Sequence, residues 1–128
     1  MQTPVRQLWG AMARRDWEAV KAVLSEGFVA RWPNTGETFT RDEFVLVNAQ
    51  YPGEWKIEIR DLFDCGAAVI SVVEVSNDGS RFFATSVFGV EGGLIDSLTE
   101  YWSECAPPPE WRRDLLTSHR DSGGRRRP

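Results

Sequence analysis

Apolar residues recur along this chain first with a period near 3.6 and then with a period near 2, so the pattern predicts helices followed by strands. Val5, Leu8, Trp9 and Met12 fall at helical spacing. Thr3-Pro4 supplies a helix start, with Thr3 as cap and Pro4 at the first position. Arg14-Arg15 closes that helix, where the dipole favours cations. Asp16 is then read as the cap of a second helix, Trp17–Ser25, ended by Gly27. Phe28–Trp32 reads as a short strand, Pro33–Gly36 as a turn, and Glu37–Phe39 as a short return strand. Thr40 opens a third helix reaching about Gln50, because Glu43 three residues on completes a capping box. Tyr51-Pro52-Gly53 stops it.

From Trp55 onward the period is that of strands. The segments are Trp55–Phe63, Ala67–Val75, Arg81–Val90 and Leu94–Glu104. Trp55, Ile57, Ile59 and Phe63 alternate with charged residues in the first of these. Asp78-Gly79 and Gly92-Gly93 read as two-residue hairpin loops. Those loops fix register. The first sets Glu74 opposite Phe83 and Val72 opposite Thr85. The second sets Thr85 opposite Glu100, Phe83 opposite Trp102 and Val87 opposite Leu98. One continuous face then carries Ile70, Val72, Glu74, Phe83, Thr85, Val87, Leu98, Glu100 and Trp102. The other face, with Val69, Val73, Val75, Phe82, Ala84, Phe88 and Tyr101, is also apolar. Helices can cover one face, and a second copy of the chain most simply covers the other.

Composition narrows the class without changing this picture. The 128 residues are 41% hydrophobic and 27% charged, values ordinary for a globular domain. No apolar run reaches the length of a membrane span, and the N-terminus does not read as a secretory signal. Net charge is −4, unevenly spread: residues 1–110 hold 9 Lys+Arg against 17 Asp+Glu, whereas residues 111–128 hold 6 Arg against 2 Asp. The acidic body disfavours nucleic acid. The division is a folded domain over 1–111 and a basic, disordered tail over 112–128. Cys65 and Cys105 read as reduced, buried thiols of a cytoplasmic protein. Histidine and cysteine are too few, and acids too scattered, for a metal cluster; no cofactor motif is present.

The order of helical hairpin, short strands, third helix and bent antiparallel sheet resembles the nuclear transport factor 2-like superfamily. RRDWEAVKAVLSEGFVARWP is similar to that family's second helix and following strand, and GGLIDSLTEYWSE to its last strand. The segment as a whole resembles the SnoaL-like branch and the ketosteroid isomerases over about residues 4–105. The resemblance implies an α+β, cone-shaped barrel in which three N-terminal helices pack on a strongly bent, mostly antiparallel sheet. It also implies a pocket on the concave side and a homodimer through the convex one. It does not imply an activity, because the fold hosts isomerases, dehydratases, cyclases, epoxide hydrolases and non-catalytic binders. The ketosteroid isomerase residues are replaced by Leu8, Trp32 and Thr85, and the one histidine, His119, lies in the tail rather than a pocket.

Glu100, between Leu98 and Trp102, is the leading catalytic candidate, since an acid among apolar groups is desolvated and its pKa rises. Glu74 is the second. Either acts as acid or base, or else serves as a structural carboxylate held by an arginine or a hydrogen bond. Trp32, Asn48, Tyr51, Trp55, Phe83, Thr85, Leu98 and Trp102 are the candidate ligand-binding residues; Trp9 and Trp17 read as core. Aromatic walls suit a small, largely apolar molecule. Pro107–Pro109 reads as a stiff segment that folds Trp111 back onto the body or a partner.

Overall fold

The computed structural model describes residues 1–115. Helices α1 (Thr3–Arg14), α2 (Trp17–Ala22) and α3 (Arg41–Gln50) lie against one six-stranded sheet. Its strands are β1 (Leu24–Trp32), β2 (Glu37–Thr40), β3 (Lys56–Asp64), β4 (Ala68–Ser76), β5 (Arg81–Glu91) and β6 (Leu94–Glu104). Their order is β2-β1-β6-β5-β4-β3, open at both ends. Every pairing is antiparallel except β1 with β6, which run parallel. A short fourth helix, α4 (Glu110–Arg113), follows the prolines and takes in the start of the expected tail. Residues 116–128, with His119, fall outside the described residues.

The apolar stripe of α1 is buried as its spacing requires: Val5 and Leu8 are fully covered, and Trp9 and Met12 nearly so. Helix α1 begins one residue earlier than its sequence suggests, with Gln2 rather than Thr3 in the capping position. Asp16 caps α2 by accepting from the Ala19 amide at 3.2 Å. The capping box of α3 forms in full, with Glu43 N–H on Thr40 Oγ1 and Thr40 N–H on Glu43 Oε1.

Helix α2 is shorter than its sequence pattern predicts. It stops at Ala22, and the chain is already extended at Leu24, which pairs with Ile95 of β6. The Ile95 amide donates to the Val23 carbonyl at 2.9 Å. A helix continuing to Ser25 would lose that pairing, so tertiary strand formation overrides a weak local preference.

The sheet departs from simple alternation twice. The first departure is in β3, where Ile59 faces Val73 but Asp61 faces Val72, leaving Arg60 as an extra residue. Ile57 and Ile59 therefore point inward, whereas Phe63, expected on the same side, is 52% exposed.

The second departure decides the site. The β4–β5 register is the expected one, with Glu74 opposite Phe83 and Val72 opposite Thr85. The β5–β6 hairpin also starts as expected: Gly92 and Gly93, at φ of 61° and 79°, form the loop, with Glu91 opposite Leu94 and Val90 opposite Ile95. Gly89 then pairs with Ser97, so Asp96 is bulged out. A Cβ at Gly89 would run into Ser97 Oγ and Asp96 Oδ1, which shows how closely the bulge folds onto that strand. Beyond it every β6 residue has changed face. Glu100 lies opposite Ser86 rather than Thr85, Trp102 opposite Ala84 rather than Phe83, and Leu98 opposite Phe88 rather than Val87.

The inner face thus holds Val69, Val73, Val75, Phe82, Ala84, Ser86, Phe88, Leu98, Glu100 and Trp102. With α1, α3 and β1 it closes a core in which Phe28, Phe44, Phe88, Leu98 and Ile95 are almost wholly buried. The outer face carries Ile70, Val72, Glu74, Phe83, Thr85, Val87 and Tyr101, of which Val87 and Tyr101 are exposed. Trp111, expected to fold back, is 71% exposed, and Cys65, expected to be buried, is exposed.

Candidate functional site

Between the concave sheet face and the helices lies a cavity of about 330 Å³. Each element contributes to its wall through residues its local geometry fixes. The α1–α2 junction gives Met12, Arg15 and Trp17; the end of α3 gives Val47, Asn48 and Tyr51; the β1–β2 turn gives Trp32, Asn34 and Glu37; and the sheet gives Trp55, Phe82, Glu100 and Trp102. Five of the six tryptophans line it: Trp9, Trp17, Trp32, Trp55 and Trp102.

Glu100 is the one buried carboxyl of the wall, 2% exposed. Its Oε2 accepts from Ser86 Oγ at 2.6 Å and its Oε1 from the Trp32 indole N–H at 3.1 Å. Burial pushes its pKa up to about 7; the Ser86, Trp32 and Trp102 side chains pull it back down but do not cancel the loss of water. The Trp102 indole N–H forms no well-made hydrogen bond. Near neutral pH this carboxyl therefore exists in both protonation states, the condition under which a side chain gives and takes a proton most readily.

The aromatic wall is continuous. Tyr51 and Trp55 lie 5.5 Å apart by ring centroid, Trp55 and Phe82 5.7 Å, Phe82 and Trp102 6.5 Å, and Trp102 and Trp32 6.1 Å. The backbone N–H of Trp102 donates to Asn34 Oδ1 at 3.0 Å, tying the β1–β2 turn to β6 at the rim. Arg15, in a left-handed conformation at φ 58°, donates from Nη2 to the Ala49 carbonyl at 3.2 Å and lies 5.4 Å over the Trp17 ring. It thereby joins the α1–α2 corner to the end of α3 across the opening.

Of the residues singled out by sequence, Glu100, Trp32, Asn48, Tyr51, Trp55 and Trp102 meet at this cavity. Leu98 shares the inner face but lies deeper, 1% exposed within the core. Glu74, Phe83 and Thr85 are corrected: the bulge at Asp96 separates them from Glu100, and they occupy the outer face. There Glu74 is an ion-pair partner, its Oε1 taking Arg60 Nε at 2.9 Å and Nη2 at 2.6 Å, with Arg81 Nε 3.7 Å from Oε2. Arg31 is exposed, as its alternation with Trp32 suggests. Sequence reasoning missed Ser86, because its proximity to Glu100 depends on the bulge. Trp9 lies in the core and Trp17 packs against it, as read from the sequence, and both also line the cavity; Trp9 Nε1 donates to the buried Ser71 Oγ at 3.1 Å. Among the described residues, no group of three or more His, Cys, Asp or Glu is placed to hold a metal ion.

A comparison with curated proteins returns no match. Solved structures give many. A proposed ketosteroid isomerase from Kribbella flavida DSM 17836 is similar at 25% identity and TM-score 0.83, over 94% of this chain and 90% of that one. An NTF-2 like protein of unknown function from Burkholderia xenovorans LB400 follows at 21% identity and TM-score 0.77, over 92% and 94%. An LEH-like epoxide hydrolase of M. tuberculosis shares the fold at 19% identity and TM-score 0.66, over 79% and 80%. The family model described as the SnoaL-like domain matches residues 5–98, which is most of the folded body. The chain therefore belongs to the SnoaL-like family and has its nuclear transport factor 2-like cone fold.

Proposed function

We propose that the cavity binds a small, largely apolar molecule and that Glu100 exchanges a proton with it, in cofactor-independent acid/base chemistry of the isomerase, cyclase or hydrolase type. The observation that carries this reading is a single carboxyl, buried in an aromatic cavity and poised near pH 7. Trp32 and Ser86 hold it in one orientation, as a group that must meet a substrate atom repeatedly is held. The relatives described as an isomerase and an epoxide hydrolase support the general class of chemistry. The unpaired thiols Cys65 and Cys105 suit a cytoplasmic protein, and no helix among the described residues is long and apolar enough to cross a membrane.

The test is reaction-neutral. Wild type and Glu100→Gln are incubated with a panel of small ketones and epoxides in D2O and followed by NMR for deuterium uptake and ring opening. The reading predicts that any turnover found falls at least about 100-fold in the variant, the usual scale of a lost general acid or base. Equal rates in the two proteins would remove Glu100 from the chemistry.

A second reading is a non-catalytic homodimeric binding module. It is favoured by the engagement of both Glu100 oxygens within the chain and by the apolar outer face with Val87 and Tyr101 exposed. That module would bind ligand equally well as wild type or Glu100→Gln and turn over none.

A further inference from the structure

We infer that the cavity is built for positive charge, and that its ligand carries a small alkylammonium-type cationic centre seated between the aromatic rings and Glu100. This deepens the proposed function and rests on its premise that the cavity is the ligand site.

Tyr51, Trp55, Phe82, Trp102 and Trp32 form an unbroken arc of rings, with neighbouring centroids 5.5 to 6.5 Å apart. The planes of Phe82 and Trp102 meet at 84°, and those of Trp102 and Trp32 at 79°. The wall therefore turns corners as a box does rather than stacking flat. The π-face of a ring is its negative part, so a box of rings attracts a cation whose hydration shell has been lost. The arc ends at Glu100, whose carboxyl accepts the Trp32 N–H. A ring box with a buried acid at its end suits an organic cation, whose alkyl groups pack on the rings while its charge is answered by the carboxylate.

The charged and titratable groups facing the cavity fit this assignment. They are Arg15 from the α1–α2 junction, Glu37 from β2, Tyr51 after α3, and Glu100 from β6. Arg15, the single cation, is drawn aside: its Nη2 is on the Ala49 carbonyl and its guanidinium lies over Trp17 rather than over the arc. A neutral apolar ligand would leave the burial of the Glu100 charge offset only by the Ser86 and Trp32 hydrogen bonds, short of full compensation. A cation supplies it, drawing the proton off the carboxyl as it binds. The described part of the chain is also acidic overall, which raises the local concentration of cations.

The experiment compares choline with its uncharged carbon isostere, 3,3-dimethyl-1-butanol, by calorimetry and tryptophan fluorescence on the full chain. Indole serves as a neutral aromatic probe. The expected result is that choline binds at least tenfold more tightly than the isostere and that this preference shrinks in Glu100→Gln. Choline binding to wild type at pH 6 should also release a proton, seen as a heat that depends on the buffer. The proton readout stands even if the variant folds poorly. Binding of the isostere or indole equal to or tighter than choline overturns the cation assignment and leaves the cavity as an apolar site. Failure of all three probes to bind overturns the ligand-site reading as well.

Discussion

Replacing Glu100 with Gln should make the protein more stable at neutral and alkaline pH and leave it nearly unchanged in acid. The folded-state pKa of Glu100 is raised from 4.5 to about 7. The folded protein thus holds this proton more tightly than the unfolded chain. A raised carboxyl pKa makes stability greatest below about pH 4.5, lets it fall as pH rises from there to about 7, and leaves it level above. A gap of about 2.5 units corresponds to about 3 kcal/mol, a large share of the stability of a small domain. Gln cannot ionise, yet it keeps the local bonds: its amide oxygen accepts from Trp32, and its amino group donates to Ser86 Oγ after the hydroxyl turns. Denaturant unfolding of both proteins at several pH values between 4.5 and 8 gives the difference directly, and other titrating groups cancel where they do not couple to residue 100. The stability gain of the variant should grow by about 3 kcal/mol across that range. A difference that stays flat with pH, or shrinks as pH rises, would refute the reasoning.

Other expectations follow from the same contacts. Ser86→Ala strips Oε2 of its donor, so the carboxyl pKa should rise further, with a loss of about 1–3 kcal/mol at pH 8 and less at pH 5 by the same unfolding measurement. Deleting Asp96 closes the bulge while keeping Gly89 opposite Ser97 and Glu100 opposite Ser86, so that chain should still fold cooperatively with Leu98, Glu100 and Trp102 on the inner face; loss of a cooperative thermal transition would contradict the assigned register. Val87→Asp should dissociate the proposed homodimer while far-UV circular dichroism is unchanged, and a wild type sedimenting as a monomer at micromolar concentration would remove the dimer from the account.

Much of this fold is written in local pattern. The stripe Val5, Leu8, Trp9, Met12 specified α1, Thr40 with Glu43 specified the start of α3, and Asp78-Gly79 specified the β4–β5 register. What escaped was non-local. Leu24 left the helix because Ile95, some seventy positions on, was there to pair with it. Asp96 left the ladder next to Gly89, and nothing in either residue alone announces a bulge. Were the ladder to run on from the loop without that bulge, Glu100 and Trp102 would share a face with Phe83 and Thr85, which the structure places on the far side of the sheet. The bulge also explains why Ser86, the shortest contact of Glu100, was not foreseen. Periodicity reads a strand face correctly only up to the first bulge.

The central claim is that Glu100 is a protonatable group near neutral pH. It is tested most directly by carbon-detected NMR titration of the side-chain carboxyls, with the Glu100 resonance assigned by its loss in Glu100→Gln. The account predicts a midpoint of about 7 for that carboxyl. A midpoint near 4.5, the ordinary glutamate value, would contradict it.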